Sequence, residues 1–557
     1  MTRHFNRTLV PSLCALSASL FLVACGADDP AVDDENNAFS SIEEDRYGDG
    51  SPNNTSMQES PRNNTATNNI SANNVASNNT SPNNTTAINN DGAPPEPEED
   101  PSYQDGETYA EVIENDFIDA ATENTSTFSI DVDNASYTLM RRDITRGKLP
   151  APAGVRPEEY INFFDYAYPE PVEDQAFSIN LEVAPSEFGE DKHLVRIGVK
   201  GKDVSPETMK HNNLVFLIDV SGSMQSSSKL SLVKASLAEL LDGLRPDDTV
   251  GIVVYAGRDA VLLESTEISN RQQIQAAIDS LSAGGSTNGE AGIVTAYEMA
   301  ERHKVEGANN RVIILTDGDF NVGKTGSALI DYIATQRERH ISITCMGYGL
   351  GNFNDYHMEN IAKEGNGNYY YVDTIAEAER VFGTDLPSTL EVIAADVKIQ
   401  VEFNNEAVTR YRLMGYDNRV LNNEDFENDA VDAGEIGPGH TVTAYYELEL
   451  TPDAAAEALL AEVRVRHKSQ YGEASTEFSR GIKMNQIQAS FDAASSDFQF
   501  AAAVLEYAEV LRGSKHSDGA RFDDILTILG NHSDASQPKR SELISLVEGA
   551  RMLWPSN

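Results

Sequence analysis

An unbroken apolar run that ends in one acid and two hydroxyls constrains this chain more than any other stretch. Residues 214–218 are all apolar and lead directly into Asp219, and Ser221 and Ser223 follow at alternate positions. An apolar run of this length predicts a central strand of a parallel sheet that is buried on both faces. Open α/β sheets bind ligands at the carboxyl ends of such strands. Hard oxygen ligands grouped there suit Mg²⁺ or another hard divalent cation.

Strand and helix patterns alternate after this run as far as about residue 390. Apolar strand patterns at 250–255, 311–316 and 341–346 are separated by helical patterns, of which 230–241 is the clearest. This alternation predicts a doubly wound α/β domain with a mainly parallel sheet.

On both sides of this region the pattern returns to alternating strands. Residues 177–183 and 193–199 precede the α/β region, and 396–403 and 441–450 follow it. Their alternation of apolar and polar residues predicts antiparallel strands. They form either one antiparallel β domain into which the α/β domain is inserted, or two separate β modules that flank it. Residues 111–121 are predicted to form a short helix.

The predicted organisation has six parts. They are a signal peptide at 1–24, a lipidated Cys25 with a disordered Asn-rich tether at 25–105, a β-rich N-terminal region with short helices at 106–210, the α/β domain at 211–390, a β-rich C-terminal region at 391–490 and a helical tail at 491–557.

The N-terminus predicts the compartment. A short basic stretch and a mostly apolar one fill the first 24 residues, which is typical of a signal peptide rather than of a membrane span. Leu-Val-Ala-Cys at 22–25 resembles the lipobox of bacterial lipoproteins, which implies cleavage that leaves Cys25 as a lipidated N-terminus. The alternative is an ordinary signal peptide cut near Ala24. By the same resemblance, Gly26 implies the outer membrane in a Gram-negative cell, so we expect a lipid-anchored protein of the cell envelope.

The tether and the net charge limit the partners. Asn-Asn pairs recur between residues 53 and 90 among Thr, Ser, Ala and Pro, with too little apolar surface to fold. Such a coil of about 80 residues reaches roughly 50 Å. Its Asn-x-Ser/Thr triplets fit either N-glycosylation or a polar spacer, and a bacterial lipoprotein favours the spacer. The formal net charge of -47 argues against nucleic acid as a partner, because phosphate binding needs Lys and Arg.

Two further segments bring oxygen ligands to the predicted site. A Gly-rich loop at 283–290 contains Ser286 and Thr287, and Asp317 follows the apolar strand at 311–316. The ordered set of Asp-x-Ser-x-Ser, a Thr in a Gly-rich loop and an Asp after a strand resembles the metal-ion-dependent adhesion site of von Willebrand factor type A domains. Either hydroxyl of the loop has the required chemistry, and the family pattern selects Thr287.

This resemblance implies a ligand set and a kind of partner. The ion, which is Mg²⁺ or else Mn²⁺ or Ca²⁺, would take the hydroxyls of Ser221, Ser223 and Thr287 directly. The carboxylates of Asp219 and Asp317 would act mainly through waters. Neutral hydroxyls leave the ion electrophilic, so it can accept a carboxylate from a protein partner.

The flanking regions resemble a narrower family. Residues 128–137 and 155–166 resemble the N-terminal region of a family of bacterial von Willebrand factor type A lipoproteins, and 415–419 and 432–440 resemble its C-terminal region. The resemblance covers about 125–530.

The predicted function is a membrane-tethered, divalent-metal-dependent protein-binding module, for adhesion or scaffolding, in the cell envelope. The alternatives are a structural component of an envelope complex whose metal braces the loops, and a metal-dependent hydrolase. The chain has no Ser-His-Asp pattern and no Gly-x-Ser-x-Gly elbow, so it is predicted not to be an enzyme. Cys345 lies in an apolar run and is predicted to be a buried apolar residue.

Overall fold

The computed structural model describes residue 109 and most of residues 113–555. The gaps within that range are 173–174, 206, 227, 257–258, 286–288, 319–325, 350–353, 386–389, 470–472, 518, 520 and 535. The predicted signal peptide and tether, 1–24 and 25–105, lie outside the described residues. The division of the chain into six parts stays a prediction.

The apolar run at 214–218 lies in the middle of a six-stranded sheet, called here the central sheet. Its strands, in spatial order, are Tyr369–Val372, Ser342–Tyr348, Asn309–Thr316, Asn212–Asp219, Thr249–Tyr255 and Asp259–Glu267. The first five strands are parallel, and the last is an antiparallel edge strand. The predicted doubly wound, mainly parallel α/β sheet is therefore confirmed.

Helices cover both faces of the central sheet. They are Leu230–Gly243, Arg271–Ser280, Gly289–Arg302, Gly326–Arg337, Asp355–Glu364 and Ile375–Ala378. Because side chains alternate along a strand, neighbouring residues of the central strand enter different cores. Phe216 shares an apolar cluster with the helix Leu230–Gly243, whereas Leu217 packs with the helix Gly289–Arg302. Both side chains are fully buried, as the sequence pattern predicts.

Two antiparallel sheets contain strands from before and from after the α/β domain. The first consists of Ile118–Asp119, Val408–Met414, Thr441–Leu450, Lys192–Gly201 and Phe177–Pro185. The second consists of Val420–Leu421, Thr125–Ser129, Ala394–Phe403, Leu459–Lys468 and Thr476–Lys483, with Gly434–Ile436 paired to Ala394–Phe403. Their apolar faces share one core. The α/β domain is thus inserted into one β unit, and the alternative of two separate β modules is wrong.

The short helix predicted for residues 111–121 is also wrong. Residues 113–117 are not helical, and Ile118–Asp119 forms an edge strand against Val408–Met414. Asn115 fixes this extended path, because its backbone N–H donates to Asp417 (2.8 Å) and its side-chain amide donates to the Gly415 carbonyl (2.9 Å). Hydrogen bonds to residues some 300 positions away override the local helical pattern.

The C-terminal tail is helical, as predicted, and packs on the N-terminal helices. The five helices of this layer are Ala135–Thr145, Pro157–Ile161, Ser496–Arg512, Phe522–Asn531 and Pro538–Leu553. Their core contains many aromatic rings among aliphatic side chains, and the rings of Tyr137 and Phe163 stack at 3.9 Å. The Ser495 hydroxyl accepts from the Phe498 N–H and caps the longest tail helix, and Gly513 ends it in a left-handed conformation.

Buried ion pairs hold the α/β domain to the N-terminal region. Arg156 contacts Asp355 at 2.6 Å, and Arg141 contacts Asp373 at 2.5 Å, with all four side chains nearly shielded from solvent. Buried charges are tolerated only when they are paired, so these contacts fix the orientation of the domain. In the described part of the chain, no helix is both long and apolar enough to cross a membrane.

Candidate functional site

The two predicted acids lie side by side at the carboxyl edge of the central sheet. Asp219 ends the strand Asn212–Asp219, and Asp317 directly follows the neighbouring parallel strand Asn309–Thr316. Ile218 pairs with Leu315 in the register, so the residues that follow each strand emerge together. Asp219 and Asp317 are almost a hundred residues apart in the sequence, and the parallel pairing of their strands makes them neighbours, as predicted.

Asp219 is a buried carboxylate with three donors. Its Oδ1 accepts from the Ser221 backbone N–H (2.8 Å), and its Oδ2 accepts from the Tyr255 hydroxyl (3.2 Å) and the Thr316 hydroxyl (3.3 Å). Burial raises the pKa of Asp219 to about 6, and the nearby Asp317 carboxylate adds to the rise, while the Ser221 N–H opposes it. The fold therefore holds this acid in a fixed orientation in a site with little water.

The two predicted serines form a hydroxyl pair beside it. The Oγ atoms of Ser221 and Ser223 lie 2.8 Å apart. Ser221 is buried and Ser223 is exposed, so the pair runs from the buried acid to the solvent. A short 3-10 turn at Gly222–Gln225 gives the two hydroxyls this spacing. Oxygen ligands arranged in this way are accessible to an ion from solution.

The Gly-rich loop is fastened to the same turn. The Gly284 N–H donates to the Val220 carbonyl (2.7 Å), and the Gly222 N–H donates to the Gly285 carbonyl (3.1 Å). Ser286 and Thr287, the alternative loop ligands, lie outside the described residues. The helix that the sequence places after them begins at Gly289. Thr287 as a ligand stays a prediction.

Asp317 has one oxygen engaged and one free of hydrogen bonds within the described residues. Its Oδ2 contacts the Lys229 ammonium at 2.9 Å. Its Oδ1 is buried and accepts no hydrogen bond from any described residue. A buried carboxylate oxygen without a donor is costly, and a cation or a cation-bound water would satisfy it. Sequence reasoning missed Lys229, because nothing local in the Ser-Lys-Leu stretch signals a partner 88 residues away.

These residues fit a hard divalent cation. Two carboxylates and two hydroxyls meet at one edge of the sheet, and one carboxylate oxygen is left for an ion. Oxygen-only ligand sets favour Mg²⁺, Mn²⁺ or Ca²⁺ over softer metals. The roles of Asp219, Ser221, Ser223 and Asp317 as ligands stay predictions that this geometry supports.

A second group of metal-ligating types lies at the opposite edge of the sheet. His211, Asp247 and Asp248 place one ligand atom each within 4.8 Å of one another. Asp248, however, already accepts from the Asn212 N–H (2.7 Å) and from the Arg245 N–H (2.9 Å). These bonds brace the turn before the strand Thr249–Tyr255 and account for the group without a metal.

The sequence predicts a role for two cysteines, Cys345 and Cys25, and the structure describes only Cys345. Cys345 is fully buried in the strand Ser342–Tyr348, where burial raises the pKa of its thiol and keeps it protonated. It is the buried apolar residue that the sequence predicts. Cys25, the predicted lipidation site, lies outside the described residues.

Three family models match the chain in succession. The model described as von Willebrand factor matches residues 103–196, and the von Willebrand factor type A domain matches 213–384. The model described as the C-terminal region of uncharacterized protein YfbK matches 388–553.

Individual proteins are similar to this chain over different lengths. Uncharacterized protein YfbK of Escherichia coli (strain K12) is 37% identical over 471 residues, which cover 79% of this chain and 80% of that protein. Human inter-alpha-trypsin inhibitor heavy chain H3 is 29% identical over 165 residues, which cover 28% of this chain and 18% of that protein. The solved structure of a von Willebrand factor type A protein from Catenulispora acidiphila has 16% identity, covers 69% of this chain and 89% of that chain, and has a TM-score of 0.40.

Proposed function

The chain belongs to the von Willebrand factor type A family that includes YfbK of Escherichia coli, and we propose that it is a divalent-metal-dependent protein-binding module. We propose further that it is tethered to a membrane of the cell envelope. The partner is a protein that offers an exposed carboxylate.

One observation carries the proposal. At the carboxyl edge of the central sheet, Asp317 Oδ1 is buried without a donor from the described residues, beside the buried Asp219 and the Ser221–Ser223 hydroxyl pair. A structural carboxylate would have its oxygens satisfied within the protein. An oxygen left for an ion, next to solvent-facing hydroxyls, supports a binding site.

The residues at this site would have different roles in holding the ion. Ser221 and Ser223, with Thr287 by resemblance, would hold the ion through neutral oxygens, and Asp219 and Asp317 would balance its charge. Tyr255 and Thr316 fix the Asp219 carboxylate and keep water from it. When bound, the ion supplies an electrophilic centre that accepts a carboxylate oxygen from the partner. An arrangement of this kind favours binding, since an ion held through neutral hydroxyls stays open to a carboxylate from a partner.

The proposed location depends on the N-terminal sequence. A lipidated Cys25 would anchor the chain, and the Asn-rich stretch to about residue 105 would let the folded part stand roughly 50 Å from the membrane. A binding module on such a tether can reach partners on neighbouring surfaces. The outer membrane is the proposed site in a Gram-negative cell.

The decisive experiment is capture of envelope proteins by the purified protein with Mg²⁺ and with EDTA. We expect proteins that are retained with Mg²⁺, released by EDTA and lost with Asp219→Ala. Asp247→Ala is the matched control, because this exposed acid lies at the opposite edge of the same sheet. Isothermal titration of Mg²⁺ into the same three proteins measures the site directly. An unchanged Mg²⁺ affinity in Asp219→Ala would refute the assignment of the site.

The same three proteins distinguish the proposed binding function from a bracing role and from a hydrolase. Mg²⁺ binding with no metal-dependent partner would favour a bracing role in an envelope complex. Hydrolysis of phosphate or carboxylate esters that depends on Asp219 would favour an enzyme instead.

A further inference from the structure

A lysine is built into the candidate metal site. The Lys229 ammonium contacts Asp317 Oδ2 at 2.9 Å, and the two residues are only 9% and 2% exposed. Lys229 immediately precedes the helix Leu230–Gly243, so its backbone is fixed by a core element. An ammonium buried to this degree is costly unless it is paired, and Asp317 is its partner.

The fold also provides the channel in which this side chain lies. Gly349 follows the strand Ser342–Tyr348 with a φ of +83°, and a Cβ at this position would overlap the methylene carbons of Lys229. The carbonyl of Gly349 accepts a hydrogen bond from the buried Tyr371 hydroxyl on the edge strand of the sheet. Only a glycine leaves room there, and Tyr371 holds the glycine in place. The position of Lys229 is therefore determined by two neighbouring strands as well as by its own helix.

We propose that Lys229 sets the affinity of the site for divalent cations, an inference that rests on the proposed function. Its ammonium neutralises Asp317 when no ion is bound and so stabilises the unloaded protein. A divalent cation held by the same acids meets a like charge, which reduces its net gain on binding. The site consequently loads only at higher metal concentrations than its two acids alone would require.

The same charge favours an acidic partner once the site is loaded. Asp219 and Asp317 contribute two negative charges and Lys229 one positive charge. With a divalent cation, the three side chains and the ion carry one net positive charge, which attracts a carboxylate. Lys229 thus weakens metal binding and strengthens carboxylate binding. A lysine with only a structural role would not produce these opposite effects.

The test is isothermal titration of Mn²⁺ into the wild-type full-length protein and into Lys229→Met and Lys229→Gln, at mildly alkaline pH. Glutamine keeps an N–H donor for Asp317, so it carries the test if the methionine variant fails to fold. Lys234→Met is the matched control, because Lys234 lies in the helix that follows Lys229 but donates to the backbone carbonyl of the exposed Asp279. Acetate is then titrated into each Mn²⁺-loaded protein, and the Mn²⁺ paramagnetic resonance is followed.

We expect the uncharged variants at position 229 to bind Mn²⁺ roughly tenfold more tightly. The repulsion between a unit charge and a double charge a few ångströms apart lowers the affinity by about that factor even in a water-like dielectric. They should bind acetate more weakly, and Lys234→Met should match the wild type. Measurable Mn²⁺ binding by the Lys229 variants, with none by the wild type, would also support the proposal. Equal or weaker Mn²⁺ binding in these variants, with the wild type binding normally, would overturn the proposal and leave the proposed function intact. Failure of every protein to bind Mn²⁺ would overturn both.

Discussion

Glu158 is a buried acid, and its replacement by glutamine should make the protein more stable than the wild type, by a margin that grows as the pH rises. Its Oε2 accepts from the Tyr416 N–H at 2.9 Å, and only 2% of the residue is exposed. Burial raises the pKa of Glu158 from 4.5 to about 8, and the carboxylates of Asp417 and Asp131 add to the rise. Arg419, which also faces this acid, is shared with Asp131.

The magnitude follows from linkage between protonation and folding. Because the pKa is raised in the folded state, the stability that this group contributes is complete below pH 4.5 and is lost as the pH rises toward 8. One proton bound on folding corresponds to about 1.4 kcal/mol per pH unit. Between pH 4.5 and pH 7 the loss amounts to about 3 kcal/mol. Glu158→Gln stays neutral at every pH and keeps an oxygen for the Tyr416 N–H, so it escapes this loss.

The assay is chemical denaturation of the wild type and Glu158→Gln at intervals from pH 5 to pH 8. The two free energies of unfolding should nearly coincide at pH 5, and the variant should be more stable by about 3 kcal/mol at pH 7. Glu457→Gln is the control, since its side chain is 78% exposed and its profile should run parallel to the wild type. Parallel profiles for Glu158→Gln as well would refute the reasoning, because they would mean that this acid is ionised in the folded protein.

Three further outcomes are expected. Asp219→Asn should abolish the rise in thermal unfolding temperature that Mg²⁺ gives the wild type, because the site loses a balancing charge; an equal rise in both proteins would contradict the site. Cys25→Ser should move the protein from the membrane fraction to the soluble fraction, as fractionation and a lipid-labelling assay can check. Arg412→Leu should lower the free energy of unfolding by about 3–5 kcal/mol, as chemical denaturation can measure, because its 2% exposed side chain lies 3.2 Å from Glu509 and 3.3 Å from Glu447. Among the described residues, these two buried acids would keep only Arg512 and Lys192 as cationic partners.

The parts of the fold that could be predicted have strong local patterns. The short apolar run at 214–218, bounded by turn residues, favours a buried parallel strand, and the 3.6-residue period of the tail favours helices. The antiparallel edge strand Asp259–Glu267 escaped prediction because several of its apolar residues are exposed, so its pattern is irregular. The strand Thr476–Lys483 escaped for the same reason, since nearly all of it faces solvent. Edge strands form because a neighbouring strand offers hydrogen bonds, so their own sequence need not show a regular strand pattern.

The candidate site divides in the same way. The sequence by itself determined the candidate oxygen ligands, because Asp219, Ser221 and Ser223 are spaced within one turn and Asp317 follows a strand. The tertiary structure alone decided that Lys229 occupies the site with them, through a channel that Gly349 leaves open. Spacing along the chain records local geometry, whereas an ion pair between residues 88 positions apart depends on how strands pair. The local pattern therefore predicts the ligands, and the packing of the sheet determines their charge environment.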